Sequence, residues 1–456
     1  MVGMQIGRTL LAGVFAVAAT IGGTAQAETL ADAMSYAYEN SGLLEQNRAL
    51  LRAADEGVAT AVGALLPVVT WSASASAQRP VPFGSDDVTA NLQIAAELTL
   101  YDGGRTQLAI EGQKEAVLAT RQGLLDFEQQ VLLRVVDAYM QMNRSSEFVA
   151  LRQNNVRLIT EELRAARDRF EVGEVTRTDV ASAEARLAAA RSQLAAEEGG
   201  LVRARAEYLA AVGRNPSSLQ DATQVSIPQS LEAAQALARM SHPAIVQAQH
   251  NVTGAELNIA RAQAAMLPSV TLSGSVRVNQ DFEDSASIGI SVGGPIYQGG
   301  RLSSAVRDAM ARRDASRAGL LLAVQQVEQN VSNAFSFLQV ARASREASER
   351  QVSAATIAFE GVREEAALGA RTTLDVLNAE QELLDARANL ISAQVDEVVA
   401  SYTVLSAMGQ LTVENLRLDV QTYDPTAYYN LVQGAPMAIS GQGRALDRVL
   451  ASIGGN

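Results

Sequence analysis

The chain of 456 residues contains no cysteine, which excludes disulfides, zinc sites built on thiolates and a lipid attached to an N-terminal cysteine. Aromatic residues make up only 4% of the chain, so a large aromatic core is not expected. His242 and His250 are the only histidines and lie about two helical turns apart, too far for one shared metal ion. No phosphate-binding loop or nucleophile motif is present. The sequence therefore predicts no enzyme, no cofactor and no metal site.

Positive charge is also scarce. The formal net charge of −13 argues against nucleic acid as a partner. Residues 1–27 are typical of a secretory signal peptide, with Arg8, a short apolar segment and the cleavage motif Ala25-Gln26-Ala27. The mature chain is then expected to begin at Glu28, and the alternative is an uncleaved anchor. Beyond this segment, no apolar run reaches the roughly 18 residues of a membrane-spanning helix.

What the chain does contain is a long internal repeat. The segment Tyr-Asp-Gly-Gly-Arg at 101–105 returns as Tyr-Gln-Gly-Gly-Arg at 297–301, a spacing of 196 residues. The same spacing relates Gly173 to Gly369 and Asp179 to Asp375. It divides the chain into a first structural repeat at 28–227, a second at 228–425 and an extension at 426–456 that we expect to be partly ordered. A unit of this length is a whole structural half rather than one turn of a solenoid.

Each copy predicts the same order of elements. Strands are expected at about 68–79 and 89–101 in the first copy and at about 269–280 and 286–297 in the second. Long helices are expected at about 105–172 and 301–368, each about 100 Å long at about 1.5 Å per residue. Shorter helices are expected at about 176–212 and 372–408. In the shorter helices, apolar residues at seven-residue spacing predict left-handed coiled packing, with an ordinary soluble coiled coil as the alternative.

The four strand segments alternate apolar and polar residues over about ten positions, as membrane-spanning strands of barrels do. Trp71, the only tryptophan, belongs to the apolar face. A small soluble sandwich is the alternative. Four strands cannot close a barrel, and an open sheet edge is not stable in lipid, so a barrel would need several chains.

The turns that follow the long helices contain Gly173 and Gly369, because a positive φ is readily adopted only by glycine. Asp179 and Asp375 lie in the first turn of the next helix, where a carboxylate suits the helix dipole. Capping of these helices is one role for the two aspartates.

These turn segments, at 169–187 and 368–380, and the two Tyr-x-Gly-Gly-Arg segments resemble the TolC family of outer-membrane channels, and the resemblance covers about 28–416. It implies a mixed α and β fold in which a homotrimer forms a twelve-stranded outer-membrane β-barrel, four strands per chain. The barrel would continue into a long α-helical coiled-coil barrel in the periplasm.

The resemblance also implies a function. The channel would export proteins or small molecules from an inner-membrane transporter, ABC or proton-driven, through a periplasmic adaptor and across the outer-membrane lipid. The second turn segment and the missing lipid cysteine favour the type I secretion branch. Multidrug efflux is the alternative, and a periplasmic coiled-coil scaffold or adaptor is the rival from another class.

Finally, the resemblance places the turns at the periplasmic pore entrance. Asp375, Asn378 and Asp179 are expected to line it, with Asn378 where the best-known member has a second aspartate. Arg371 is expected to latch the entrance through Thr178 and Asp179, although the family's partnering tyrosine is absent and Ala366 stands near its place. Six residues are expected to contact the adaptor: Val172, Gly173, Glu174, Leu368, Gly369 and Ala370.

Overall fold

The structure is a computed structural model that describes residues 27–77 and 88–453. The predicted signal peptide up to residue 26, the predicted end of the first strand at 78–79 and the last three residues of the chain lie outside this part. Within it, no helix is both long and apolar enough to cross a membrane.

The two copies contain the same series of helices and strands. The first has α1 (Leu30–Asn40), α2 (Gly42–Gly63), β1 (Val68–Ala77), β2 (Val88–Tyr101), α3 (Arg105–Glu171) and α4 (Arg177–Val212). The second has α5 (Leu231–Ser241), α6 (Pro243–Ala264), β3 (Ser269–Asn279), β4 (Asp284–Gly293), α7 (Arg301–Ala367) and α8 (Thr373–Ala407). The predicted mixed α and β fold with an internal duplication is confirmed.

The long helices α3 and α7 have 67 residues each. Each begins directly after a glycine in the left-handed region, Gly104 at φ 83° and Gly300 at φ 80°. Neither contains a proline, so the hydrogen-bonded ladder runs uninterrupted over about 100 Å. Each long helix is therefore much longer than the shorter helices beside it, of which α4 with 36 residues is the longest.

The shorter helices flank the long ones. Helices α2 and α4 pack along α3, and α6 and α8 pack along α7. Helices α6 and α8 also contact α3, which joins the two copies side by side. Along α8, Ala386, Ala393 and Ala400 are buried at the predicted seven-residue spacing, and their small side chains allow close helix approach.

The main core lies about halfway along the long helices, where both copies and α1 and α5 meet. Tyr139 and Tyr208 are its largest fully buried side chains. The Tyr139 hydroxyl donates to the backbone carbonyl of Glu28 at 2.8 Å, and the Tyr208 hydroxyl donates to the Glu28 carboxylate at 2.7 Å. The start of the described chain is thereby fixed against α3 and α4.

The strands form one antiparallel sheet in the order β1-β2-β3-β4. The register pairs Trp71 with Ile94 and Ile94 with Val276, so one face of the sheet is apolar and exposed. The opposite face carries the polar set, including Gln93, which accepts a hydrogen bond from Arg277 at 2.9 Å. The outer sides of β1 and β4 have no strand partner among the described residues. The sheet thus has one apolar and one polar face, as predicted, and in the described part of the chain it is open at both edges.

The fourth strand differs from the prediction of 286–297. It runs from Asp284 to Gly293, and Tyr297 beyond it is exposed. Pro295 has no N–H to donate to a neighbouring strand. At Gly294, an added Cβ would lie 3.0 Å from the Cα of Pro268. The chain leaves the sheet here because of this proline and this close backbone approach.

The described part of the extension, 426–453, packs on the rest of the chain. It contains α10 (Ala427–Val432) and α11 (Gly441–Ile453), which follow the short α9 (Val413–Leu416). Tyr428 and Val432 are buried against Ala59 of α2, and the Tyr428 hydroxyl donates to Glu56 at 2.6 Å. This packing on α2 orders the segment through contacts that its own composition does not reveal.

Candidate functional site

The two helix turns have nearly the same backbone. Gly173 has φ 82° and Gly369 has φ 77°. In the first turn, the N–H of Glu174 donates to the carbonyl of Arg169 at 2.9 Å. In the second, the N–H of Ala370 donates to the carbonyl of Glu365 at 2.9 Å. Both are glycine-centred helix ends in which the last carbonyls are satisfied within the turn.

The helices that leave the turns are capped in the same way. Thr176 caps α4 and Thr372 caps α8. The carboxylate of Asp179 accepts from the Thr176 N–H at 2.9 Å and from its hydroxyl at 2.8 Å. Asp375 and Thr372 repeat these two bonds at the same distances. Each pair satisfies two donors at the start of its helix, as a capping box does.

The capping bonds also fix the charge of the two aspartates. Hydrogen bonds from the backbone and hydroxyl of Thr176 hold the pKa of Asp179 below its ordinary value, because they stabilise the ionised form. Thr372 lowers the pKa of Asp375 in the same way. Each turn therefore presents a carboxylate that is charged at neutral pH.

Arg371, the predicted latch, extends from the second turn and is about half exposed. Its Nε lies 2.7 Å from Oε2 of Glu365 in the same chain. Thr178 and Asp179 are not its partners among the described residues of one chain. A bond to them would have to come from a neighbouring copy.

Asn378 makes a contact that sequence reasoning missed. Its Oδ1 accepts a hydrogen bond from Nη2 of Arg186 on α4 at 2.8 Å, across 192 positions of sequence. In the second copy, the position equivalent to Arg186 is Glu382, so the repeat gave no sign of this bond.

A second missed pair lies close by. Glu380 on α8 is 5% exposed, and its Oε1 accepts from Nδ2 of Asn155 on α3 at 3.1 Å. Burial and, to a smaller extent, the nearby charge of Glu162 raise the pKa of Glu380, and the bond from Asn155 opposes them, so that the pKa is about 7. This carboxyl can therefore change its charge near neutral pH.

The six predicted adaptor-contact residues are all exposed at the ends of the hairpins. Val172 is 72% exposed and Leu368 is 86% exposed. Aliphatic side chains this accessible, beside glycine and alanine, leave the turn surfaces open to a partner.

Comparison with known proteins identifies the family and the fold of the chain. The family model described as "outer membrane efflux protein" matches residues 33–214 and 234–410, one segment in each copy. The chain belongs to the outer membrane efflux protein family. The resemblance to TolC channels is thereby confirmed, and the protein is located in the outer membrane with its helical part in the periplasm. This family of outer membrane efflux proteins consists of channels rather than enzymes.

Individual relatives of this outer membrane efflux protein agree. The outer membrane efflux protein BepC of Brucella suis is 37% identical over 420 residues, which are 90% of this chain and 92% of BepC. Outer membrane protein TolC of Vibrio cholerae is 26% identical, with 88% of this chain and 95% of TolC covered. The proteases secretion protein PrtF of Dickeya chrysanthemi is 26% identical, with 87% and 91% covered. The crystal structure of CusC has the same fold, with a TM-score of 0.75, 18% identity, and 83% of this chain and 91% of CusC covered.

Proposed function

We propose that three copies of this chain assemble into one channel, with twelve strands closing a barrel and the helices closing a periplasmic tunnel. The observation that carries this proposal is the sheet, whose apolar face is exposed and whose two edges have no strand partner among the residues that the structure describes. Closure removes those edges, which lipid cannot satisfy. Extraction from outer membranes only with detergent, followed by a trimer band that disappears on heating, is the expected result. A monomer in the soluble fraction would reject the proposal.

The cargo of this channel is protein delivered by an inner-membrane ABC transporter, as in type I secretion. PrtF, a proteases secretion protein, supports this choice. Export of small molecules delivered by a proton-driven inner-membrane transporter is the second candidate function, because the relative BepC is named an efflux protein. Deletion of the gene should stop the release of a secreted protein into the medium. Drug accumulation with unchanged protein release would favour efflux instead.

The exposed turns dock on the helical hairpins of a periplasmic adaptor. The apolar side chains of Val172 and Leu368 support this role, because burying them would stabilise a complex. The chain has no native cysteine, so Leu368→Cys gives a single attachment point for a crosslinker. Crosslinking to the adaptor is expected from this variant. The control is Glu198→Cys, which lies on α4 about 30 Å above the turn and should not crosslink.

The turns also form the gate of the channel. Asp375 from three copies lines the entrance, and Arg371 holds it shut by binding Thr178 and Asp179 of a neighbouring copy. The exposed Arg371–Glu365 pair is weak enough to be exchanged for such a bond. Arg371→Ala should raise single-channel conductance in planar bilayers. Arg363→Ala removes another exposed arginine near the end of α7 and should leave conductance unchanged; equal conductance of both variants and the wild type would reject the latch.

A further inference from the structure

The first turns of α8 lie in a groove formed by α3 and α4 of the same chain. Leu377 is buried there in a small apolar cluster, separate from the main core. The other buried members of this cluster are Ile159 and Leu163 of α3 and Ala183, Leu187 and Ala190 of α4. We call this contact the α8 interface. It joins the α7–α8 pair to the α3–α4 pair close to the turns.

Two hydrogen bonds flank Leu377 at the α8 interface. On one side Arg186 donates to Asn378 at 2.8 Å, and on the other Asn155 donates to Glu380 at 3.1 Å. On a helix of 3.6 residues per turn, residue 378 projects about 100° to one side of Leu377 and residue 380 projects about 60° to the other side. Because the bonds pull on opposite flanks, they fix the rotation of α8 about its axis.

We infer that Arg186 is a gate-positioning residue, which acts through its hydrogen bond to Asn378 and holds α8 against α4 within one chain. This inference deepens the proposed channel function and rests on it. It differs from the proposed Arg371 latch, which joins neighbouring copies. If the α7–α8 pair moves away from the α3–α4 pair when the entrance opens, the Arg186–Asn378 bond must break.

The bond is specific to one side of the repeat. The counterpart of Asn378 in the first copy is Ser182, and the counterpart of Arg186 in the second copy is Glu382. A serine and a glutamate cannot form the same charged donor and amide acceptor pair. The contact therefore occurs once per chain, at the helix that carries Asp375 to the entrance.

An aspartate at residue 378 distinguishes two orientations of this side chain. An aspartate there would form a charge-assisted bond with Arg186 and strengthen the contact. If the side chain instead faced the pore axis, an aspartate would add to the charge of Asp375, repel its copies and attract cations. The same substitution thus closes the channel further in one case and makes it sensitive to cation block in the other.

The test measures single-channel conductance of purified trimers in planar bilayers. Arg186→Ala and Asn378→Ala should each raise the mean conductance at least about twofold, because each removes one hydrogen bond per chain, and so three per channel, that favours the closed state. The double variant should be no more open than either single variant, because the two residues act as one pair. Arg186→Lys should restore part of the closed state. The control is Arg191→Ala, which removes an exposed arginine further along α4.

Asn378→Asp should lower conductance, and adding Arg186→Ala should abolish that effect. Additive effects of the two alanine variants, or a cation block by Asn378→Asp that persists without Arg186, would overturn the inference. If Arg371→Ala opens the channel and Arg186→Ala does not, the proposed function stands and the positioning role falls.

A second measurement does not depend on channel formation. In detergent, hydrogen exchange of the backbone amides at 376–380 should become about twofold to tenfold faster in Arg186→Ala. Asn378→Asp should slow it. Unchanged exchange in both variants would also overturn the inference, whatever the bilayers show.

Discussion

Glu184 and Glu380 occupy equivalent positions in the two copies, yet their surroundings are opposite. Each is the eighth residue of its helix and follows an alanine. The side chain of Glu184 is half exposed and pairs with Arg167 at 2.5 Å, whereas Glu380 is buried and bonded to Asn155. The difference arises because α8 has α3 as a second neighbour. The duplicated sequence thus gives both copies the same local backbone, whereas contacts with neighbouring helices determine which side chains are buried.

The largest expected effect concerns the buried surroundings of α8. Leu377→Ala should lower the stability of the α8 interface by about 2–4 kcal/mol, because it removes a buried side chain and leaves a cavity. Hydrogen exchange of the α8 amides measures this loss. Leu374→Ala, on the same helix but 46% exposed, is the control and should cost less than about 1 kcal/mol. The first-copy counterpart of Leu377 is already alanine, Ala181.

The next effect concerns pH. The pKa of Glu380 is raised from 4.5 to about 7. Between these two pH values, its carboxyl is therefore protonated in the folded chain but ionised in the unfolded chain. The contribution of protonated Glu380 to the free energy of unfolding is therefore fully present below about pH 4.5 and is lost as pH rises through about 7. Glu380→Gln removes that loss and should stabilise the protein by about 1–3 kcal/mol at pH 8, with little effect at pH 4.5.

Thermal unfolding at the two pH values measures the effect of Glu380→Gln. Glu184→Gln is the matched control and should change the melting temperature only slightly, because its carboxylate is exposed. A stabilisation by Glu380→Gln of the same size at both pH values would contradict the buried carboxyl as its cause.

A smaller effect is expected from the capping threonines, whose geometry is the same in both copies. Thr176→Ala and Thr372→Ala each remove a capping hydroxyl with the same geometry, so each should cost about 1 kcal/mol. Hydrogen exchange in the first turn of α4 and of α8 compares them directly. Markedly unequal losses would mean that the surroundings influence even the capping bonds.

The smallest effect is expected at the exposed ion pair of Glu184. Arg167→Ala removes the partner of Glu184, and both side chains are about half exposed. Such pairs contribute roughly 0.2–1 kcal/mol, and less at high salt. Denaturant unfolding at low and high salt should therefore show a small difference that salt removes. A loss comparable to that of Leu377→Ala would contradict the solvent-exposed description of Glu184.

The sequence predicted features that depend on local chemistry. Uninterrupted helices, a glycine at each turn and alternating strands follow from the backbone preferences of a few neighbouring residues. The end of β4 shortly before Pro295 could have been predicted from the same rules. The Arg186–Asn378 bond could not, because it depends on how two helices are rotated against each other. The order of the last segment also depends on a distant partner, α2.

The equal length of α3 and α7, 67 residues each, limits how such a chain can vary. Deleting one residue from only one of them would shorten it by about 1.5 Å and turn every later side chain by about 100°. The buried positions beyond the deletion would then face solvent, and the two turns would no longer be level. Insertions and deletions should therefore be most damaging inside either long helix.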